Sequence, residues 1–135
     1  SKNRELAIST MSLIKKNEFL NTIKKAIQEQ NTPNAIRKVI KIIDNNLNNT
    51  DDWKLFKEAF DNADKDFLKL VKEKHPILTP NDLKLCAYLR LNLASKEIAP
   101  LLNISPRSVE VKRYRLRKKM DLTPKSSLTE YILGL

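Results

Sequence analysis

Residues 95–119, SKEIAPLLNISPRSVEVKRYRLRKK, contain two helix starts separated by one sharp stop. Ser95 has the side-chain oxygen that an N-cap needs to accept from the unpaired amides of a first turn. Ile98, Ala99 and Leu102 follow at helical spacing and face inward. Asn103 tolerates the left-handed conformation that turns a chain abruptly. Ser105 then caps a second helix, and Pro106 suits its first position, where no backbone N–H is required. Two short helices joined by so tight a turn predict a helix-turn-helix, and Ala99 supplies the small side chain that lets them approach.

The second helix is strongly basic. Over residues 105–119 Arg107, Lys112, Arg113, Arg115, Arg117, Lys118 and Lys119 stand against one acid, Glu110, a net of +6 in fifteen residues. The whole chain, 135 residues, carries +10. Residues 1–77 hold 15 basic and 11 acidic groups (+4), and residues 78–135 hold 11 and 5 (+6). A charge serving solubility would be spread out. A concentrated one points first to nucleic acid and second to an anionic membrane surface.

Helical geometry sorts the side chains of 106–119. At about 100° per residue, Val109, Leu116 and Met120 share one side, which is expected to be core. Arg107, Glu110, Val111, Tyr114, Arg115 and Lys118 fall opposite. Base edges in a major groove need such a mixture: an apolar group for a thymine methyl, a carboxylate for a cytosine amino group, a guanidinium for guanine. Lys112, Arg113, Arg117 and Lys119 lie on the flanks, where phosphates would be, with the stem of Arg113 turned partly toward the core.

Helical spacing also governs the rest, and no convincing strand is found. Leu6, Leu13, Leu20 and Ile27 recur every seven residues, predicting a helix over roughly 3–30. Thr32 and Pro33 suit the start of a second, with Ile36, Val39, Ile40, Ile43 and Leu47 on one face. Thr50 or Asp51 caps a third, striped by Trp53, Phe56 and Phe60, that ends or kinks at 62–64. A fourth, holding Phe67, Leu70 and Val71, must stop before His75–Pro76. Thr79, Pro80 and Asp82 predict a capping box for a fifth, lined by Leu83, Cys86, Ala87 and Leu91 and ended at Asn92. Ser127 and Glu130 predict another for the last helix. The fold class expected is all-α.

Several function classes are excluded. The chain holds one glycine, Gly134, so no glycine-rich phosphate loop exists. Cys86 is the only cysteine and His75 the only histidine, which argues against a disulfide, a metal site or a cysteine–histidine nucleophile. No window approaches 18 uncharged apolar residues, and residues 1–10 lack the apolar core of a signal peptide. The expectation is a cytoplasmic protein that is not an enzyme, with no cofactor, no metal, no evident small-molecule site and no membrane contact within the chain.

The segment LTPNDLKLCAYLRLNLASKEIAPLLNISPRSVEVKRYRLRKKMDL resembles the DNA-binding domain of the LuxR/FixJ family of bacterial regulators. The resemblance lies in LTP with an acid two residues later, in SKEIA, in L-x-IS-x-R-x-V and in LRKKM, in order and at the family's spacing, and covers about 78–135. It implies a four-helix domain with 106–119 as recognition helix, and regulation of transcription by dimers on paired half-sites of double-stranded DNA. It also implies that Glu110, Val111 and Tyr114 face bases, and that Lys96, Ser105 and Arg107 contact the backbone. Asn92 replaces a common family glycine, and Glu110 stands where lysine is frequent. Glu and Lys cannot favour the same base edge, so the family's sequence preference does not transfer.

Residues 1–77 resemble, less specifically, the helical segments that join large bacterial membrane-bound sensors to a LuxR-type tail, through KNEFL and the W-x-x-F pattern. That implies the cytoplasmic portion of a longer, membrane-anchored protein. Three units are expected: a helical hairpin or coiled-coil-like dimerisation segment at 1–50, using Leu6, Leu13, Leu20 and Ile27; a connector at 51–77; and a DNA-binding domain at 78–135 able to fold alone. Against a simple coiled coil, the companion positions Asn3, Thr10, Asn17 and Lys24 are polar. The competing reading is a helix-turn-helix that grips another protein without reading DNA, and a homodimer is expected under the first.

Overall fold

The computed structural model describes residues 2–28, 34–47 and 50–135. Among them every regular element is an α-helix, the class that the spacing predicts: α1 (Lys2–Gln28), α2 (Asn34–Leu47), α3 (Thr50–Ala63), α4 (Phe67–Lys74), α5 (Pro80–Arg90), α6 (Ser95–Leu102), α7 (Pro106–Lys119) and α8 (Leu128–Leu133). The caps expected at Thr32 and Pro33, and the side chains of Ile27, Ile36, Leu47, Thr50 and Asp51, lie outside the described residues.

The stops come from local chemistry. α4 ends ahead of His75–Pro76, where His75 takes an extended φ of −133°. Asn92 (φ 60°), Asn103 (φ 53°) and Asp121 (φ 56°) turn the chain left-handedly after α5, α6 and α7. Asn and Asp enter this region more readily than other non-glycine residues. The start of α5 is a full capping box: the Asp82 amide donates to Thr79 Oγ1 at 3.2 Å, and the Thr79 amide donates to Asp82 Oδ2 at 2.9 Å. The start of α8 is held by the Glu130 amide donating to Ser127 Oγ.

One cap differs from expectation. Ala94, not Ser95, is the N-cap of α6. The Ala94 amide donates to Glu97 Oε1 at 2.9 Å, so the carboxylate three residues on does the holding. Ser95 becomes the first helical residue, and its hydroxyl is directed elsewhere.

The core is built around α5. Five consecutive residues, Leu85 to Leu89, are buried, so α5 is enclosed on all sides and the single stripe predicted for it is only part of its packing. The additional cover is aromatic. Trp53 and Phe56 of α3 stand 5.9 and 5.1 Å, centroid to centroid, from Tyr88. Phe60 continues the row to Phe67 of α4 at 5.9 Å. Leu6 and Ile14 of α1 join the same cluster as Val109 and Leu116 of α7. Packing therefore runs without a gap across the expected boundary at 77–78.

α1 packs on α2, α3 and α6, and it does so with an unexpected register. Thr10 and Asn17, from the polar companion set, are each 2% exposed, whereas Leu13 and Leu20 are half-buried. Leu6 is buried inside its own chain. The reason is a hydrogen bond that no periodicity reveals. α6 ends at Leu102, so its last carbonyls lack intrahelical donors; Asn17 Nδ2 donates to the one on Pro100 at 2.7 Å. Thr10 satisfies its hydroxyl on the Leu6 carbonyl. Lys24 pairs with Asp44 of α2 at 2.6 Å.

Asp82 links its cap to pH. Burial acts to raise its pKa, but Lys119 Nζ at 2.7 Å and the Thr79 amide and hydroxyl outweigh it, and the carboxyl sits below its usual value. A depressed pKa contributes stability above the unfolded-state value, and that contribution is lost as pH falls through the folded-state value. Asp82→Ala is expected to cost about 1 kcal/mol at neutral pH. The gap from wild type should close as pH drops below about 4 in denaturant titrations.

Candidate nucleic-acid interface

α7 is positioned from both ends and from below. Ser105 Oγ accepts from the Ser108 amide at 3.1 Å, and Pro106 opens the helix. Val109, Leu116 and Met120 are buried, as the wheel predicts, which fixes the rotation of the helix about its axis. With that face down, Arg107, Glu110, Val111, Tyr114, Arg115 and Lys118 are all exposed on the other. Val111 remains 43% exposed and Tyr114 58%. Neither is used by the core, so two apolar surfaces stand in water among charges. Lys118 Nζ lies 4.8 Å from the Tyr114 ring centroid, a cation–π contact that orders the ring.

Ser95, expected as a cap, instead joins α6 to α7. Its hydroxyl donates to Glu110 Oε1 at 2.6 Å. Arg113 Nη1 donates to Ser95 Oγ at 3.4 Å, while Nη2 donates to Thr129 Oγ1 of α8 at 2.9 Å. The carboxylate of Glu110 is thus held at the N-terminal end of the outward row, with one oxygen engaged.

The expected backbone-contacting residues divide into two groups. Lys96, Ser105, Arg107 and Lys112 are exposed. Arg113, Arg117 and Lys119 are tied into the domain. Arg117 Nη2 donates to the carbonyls of Thr123 and Pro124 at 3.0 and 2.9 Å, clamping the loop after α7. Lys119 pairs with Asp82 at the start of α5. Among the described residues, Arg107, Lys112, Arg115 and Lys118 have no carboxylate partner.

Arg90 is a residue that the sequence patterns do not single out, yet it anchors α8 behind the interface. Its Nε donates to Asp64 Oδ2 at 2.7 Å, its Nη1 donates to the carbonyls of Ile132 and Leu133, and its guanidinium lies 4.6 Å from the Phe67 ring centroid. Its place in the last turn of α5 would signal bonds to the carbonyls of its own helix; the carbonyls it meets are those of α8, 42 and 43 positions on, which no local pattern reveals.

The remaining reactive groups are engaged in packing. Burial, with a smaller push from Asp82, raises the Cys86 thiol to about 12, which keeps it neutral and unreactive at physiological pH. His75 Nε2 and the Tyr131 hydroxyl are hydrogen-bonded at 2.7 Å. Burial and then Lys74 lower the His75 pKa. Among the described residues no cluster of His, Cys, Asp and Glu could hold a metal ion, and no helix is long and apolar enough to cross a membrane.

A basic helix with a buried inner face, set on a shorter one across a left-handed Asn103 turn and braced by α5 and α8, defines a helix-turn-helix protein. Residues 76–132 match the GerE family model, described as bacterial regulatory proteins, luxR family, so the C-terminal domain belongs to the LuxR family. The general role of that family, DNA binding in the regulation of transcription, follows for this domain. No curated protein and no solved structure shows significant similarity to the chain.

Proposed function

We propose that this chain is a sequence-specific, double-stranded-DNA-binding transcriptional regulator that acts as a homodimer in the cytoplasm. α7 lies in the major groove. Arg107, Glu110, Val111, Tyr114, Arg115 and Lys118 meet base edges, and Lys96, Ser105 and Lys112 meet the phosphate backbone, with help from Arg113, Arg117 and Lys119 where their internal partners allow. The reading rests on one observation: a helix with a fully buried core face leaves Val111 and Tyr114 in solvent amid cations that, among the described residues, have no carboxylate partner. The chemistry is neither that of a solvated charged face nor that of a core.

Residues 78–135 carry the reading. Residues 51–77 brace α5, and residues 1–50 bring two copies together. In support of the last, Phe19 is 65% exposed and Ile42 60% exposed on neighbouring helices, and apolar surface of that kind favours burial against a partner. Phe19→Glu with Ile42→Glu is expected to convert the dimer into a 15.6 kDa monomer in sedimentation, since both side chains are mainly in solvent. The DNA-binding reading is tested by titrating the chain with mixed-sequence duplex across a salt series. A steep, linear loss of log affinity with log salt supports it, and salt-insensitive or absent binding overturns it.

A further inference from the structure

Between the second half of α1 and the turn of the helix-turn-helix lies a cleft of about 720 Å³. Asn21 and Lys25 of α1 line one side; Lys96, Pro100, Ser105 and Pro106 line the other. The second wall is the corner of the domain where DNA-backbone contacts are proposed. The first belongs to a helix far upstream of residues 76–132, the segment that matches the family.

The charges of the lining are unequal in availability. Lys24 is held by Asp44. Glu18 is the acid of the lining. Lys25 and Lys96 are exposed and have no carboxylate partner among the described residues. Asn21 and Thr22 already donate to the carbonyls of Asn17 and Glu18, so they ask for no ligand of their own. What remains is a pair of ammonium groups on facing walls, beside the first residues of α7. The hydrogen bond from Asn17 to Pro100 holds α1 against α6 at this point, so the position of Lys25 is coupled to that of the reading helix.

We infer that this cleft receives the phosphate backbone of the duplex whose bases α7 reads, with Lys25 of α1 as a phosphate contact outside the family domain. The inference rests on the DNA-binding reading above. A strand positioned by Lys96 and Ser105 passes the mouth of the cleft, and the cation on the opposite wall complements it. α1 thereby extends the electrostatic footprint of the domain and, through Asn17, reports the position of the helix-turn-helix on that strand.

The test compares the full chain with its Lys25→Ala, Lys96→Ala and Lys69→Ala variants on mixed-sequence duplex over 50–200 mM salt. Removing one phosphate contact should flatten the slope of log affinity against log salt by about 0.9, so that the affinity of Lys25→Ala falls about three- to four-fold less than that of wild type across the range. Lys96→Ala should behave likewise. Lys69, exposed on α4 away from the cleft, should leave the slope unchanged when replaced. A wild-type slope for Lys25→Ala beside a flattened one for Lys96→Ala overturns the inference and leaves the DNA-binding reading standing. So does a Lys25→Ala variant that keeps the slope but loses self-association, which would make the cleft an interface between copies. Absence of salt-dependent binding by the wild type overturns the DNA-binding reading itself.

Discussion

Phe60→Ala is expected to lower the stability of the chain by about 3–5 kcal/mol, the usual cost of removing a fully enclosed phenyl ring. Phe60 has no exposed surface, and its ring lies 5.8 Å from Phe56 and 5.9 Å from Phe67. Phe56 in turn packs on Tyr88 of the central helix α5. Against a total of roughly 5–15 kcal/mol for a domain, such a loss is large. Because the substitution is upstream of the DNA-binding domain, where it is felt matters as much as its size. Continuous packing across 77–78 predicts one cooperative transition at lower denaturant, followed alike by Trp53 fluorescence and by helical circular dichroism, and loss of duplex binding over the same range. If residues 78–135 instead melted separately with an unchanged midpoint, the connector would be a passenger and the cluster divisible.

Alanine at Val111 or Tyr114 should cost about 1–3 kcal/mol each on the preferred duplex, which is about 5- to 150-fold in affinity, and leave binding to random duplex nearly unchanged. Both side chains are exposed, so neither change is expected to disturb folding. Lys112→Ala is the contrast: it should weaken both duplexes alike and flatten the salt slope by about 0.9. Arg113 and Lys119 are poorer choices for that comparison, because their alanine variants also sever the bonds to Thr129 and Asp82. The preferred duplex is obtained by selection from a randomised pool. Equal losses of Val111→Ala and Tyr114→Ala on both duplexes would remove base reading from this face.

What can be read in the sequence is what is encoded locally. Thr79 and Asp82 are three residues apart, Ser105 and Pro106 are adjacent, and Asn92 and Asn103 mark left-handed exits by their own conformational tolerance. The core face of α7 follows from its period alone. The seat of α1 does not. Asn17 and Pro100 are 83 positions apart, and their hydrogen bond buries a polar side chain where hydropathy places a leucine stripe. Tyr88 is hidden for a related reason: a helix enclosed all round has no stripe to detect, and its covering rings come from α3. Ser95 does not cap α6 because two rules compete for one helix start, and Glu97 satisfies the leading amide first.

The internal bonds of Arg113, Arg117 and Lys119 bear on how such a protein would find its site on a chromosome. Non-specific attraction to DNA comes from phosphate neutralisation, and it holds a regulator on the vast excess of wrong sequence. A helix that presented all seven cations would linger everywhere. With the head groups of Arg113, Arg117 and Lys119 engaged by α8, the following loop and α5, fewer free cations would meet bulk DNA, while the exposed row proposed to face the bases would stay intact. On the proposed reading, the same bonds that stiffen the domain would shorten its stay at the wrong address and leave the time spent at the right one to Val111, Tyr114 and their neighbours.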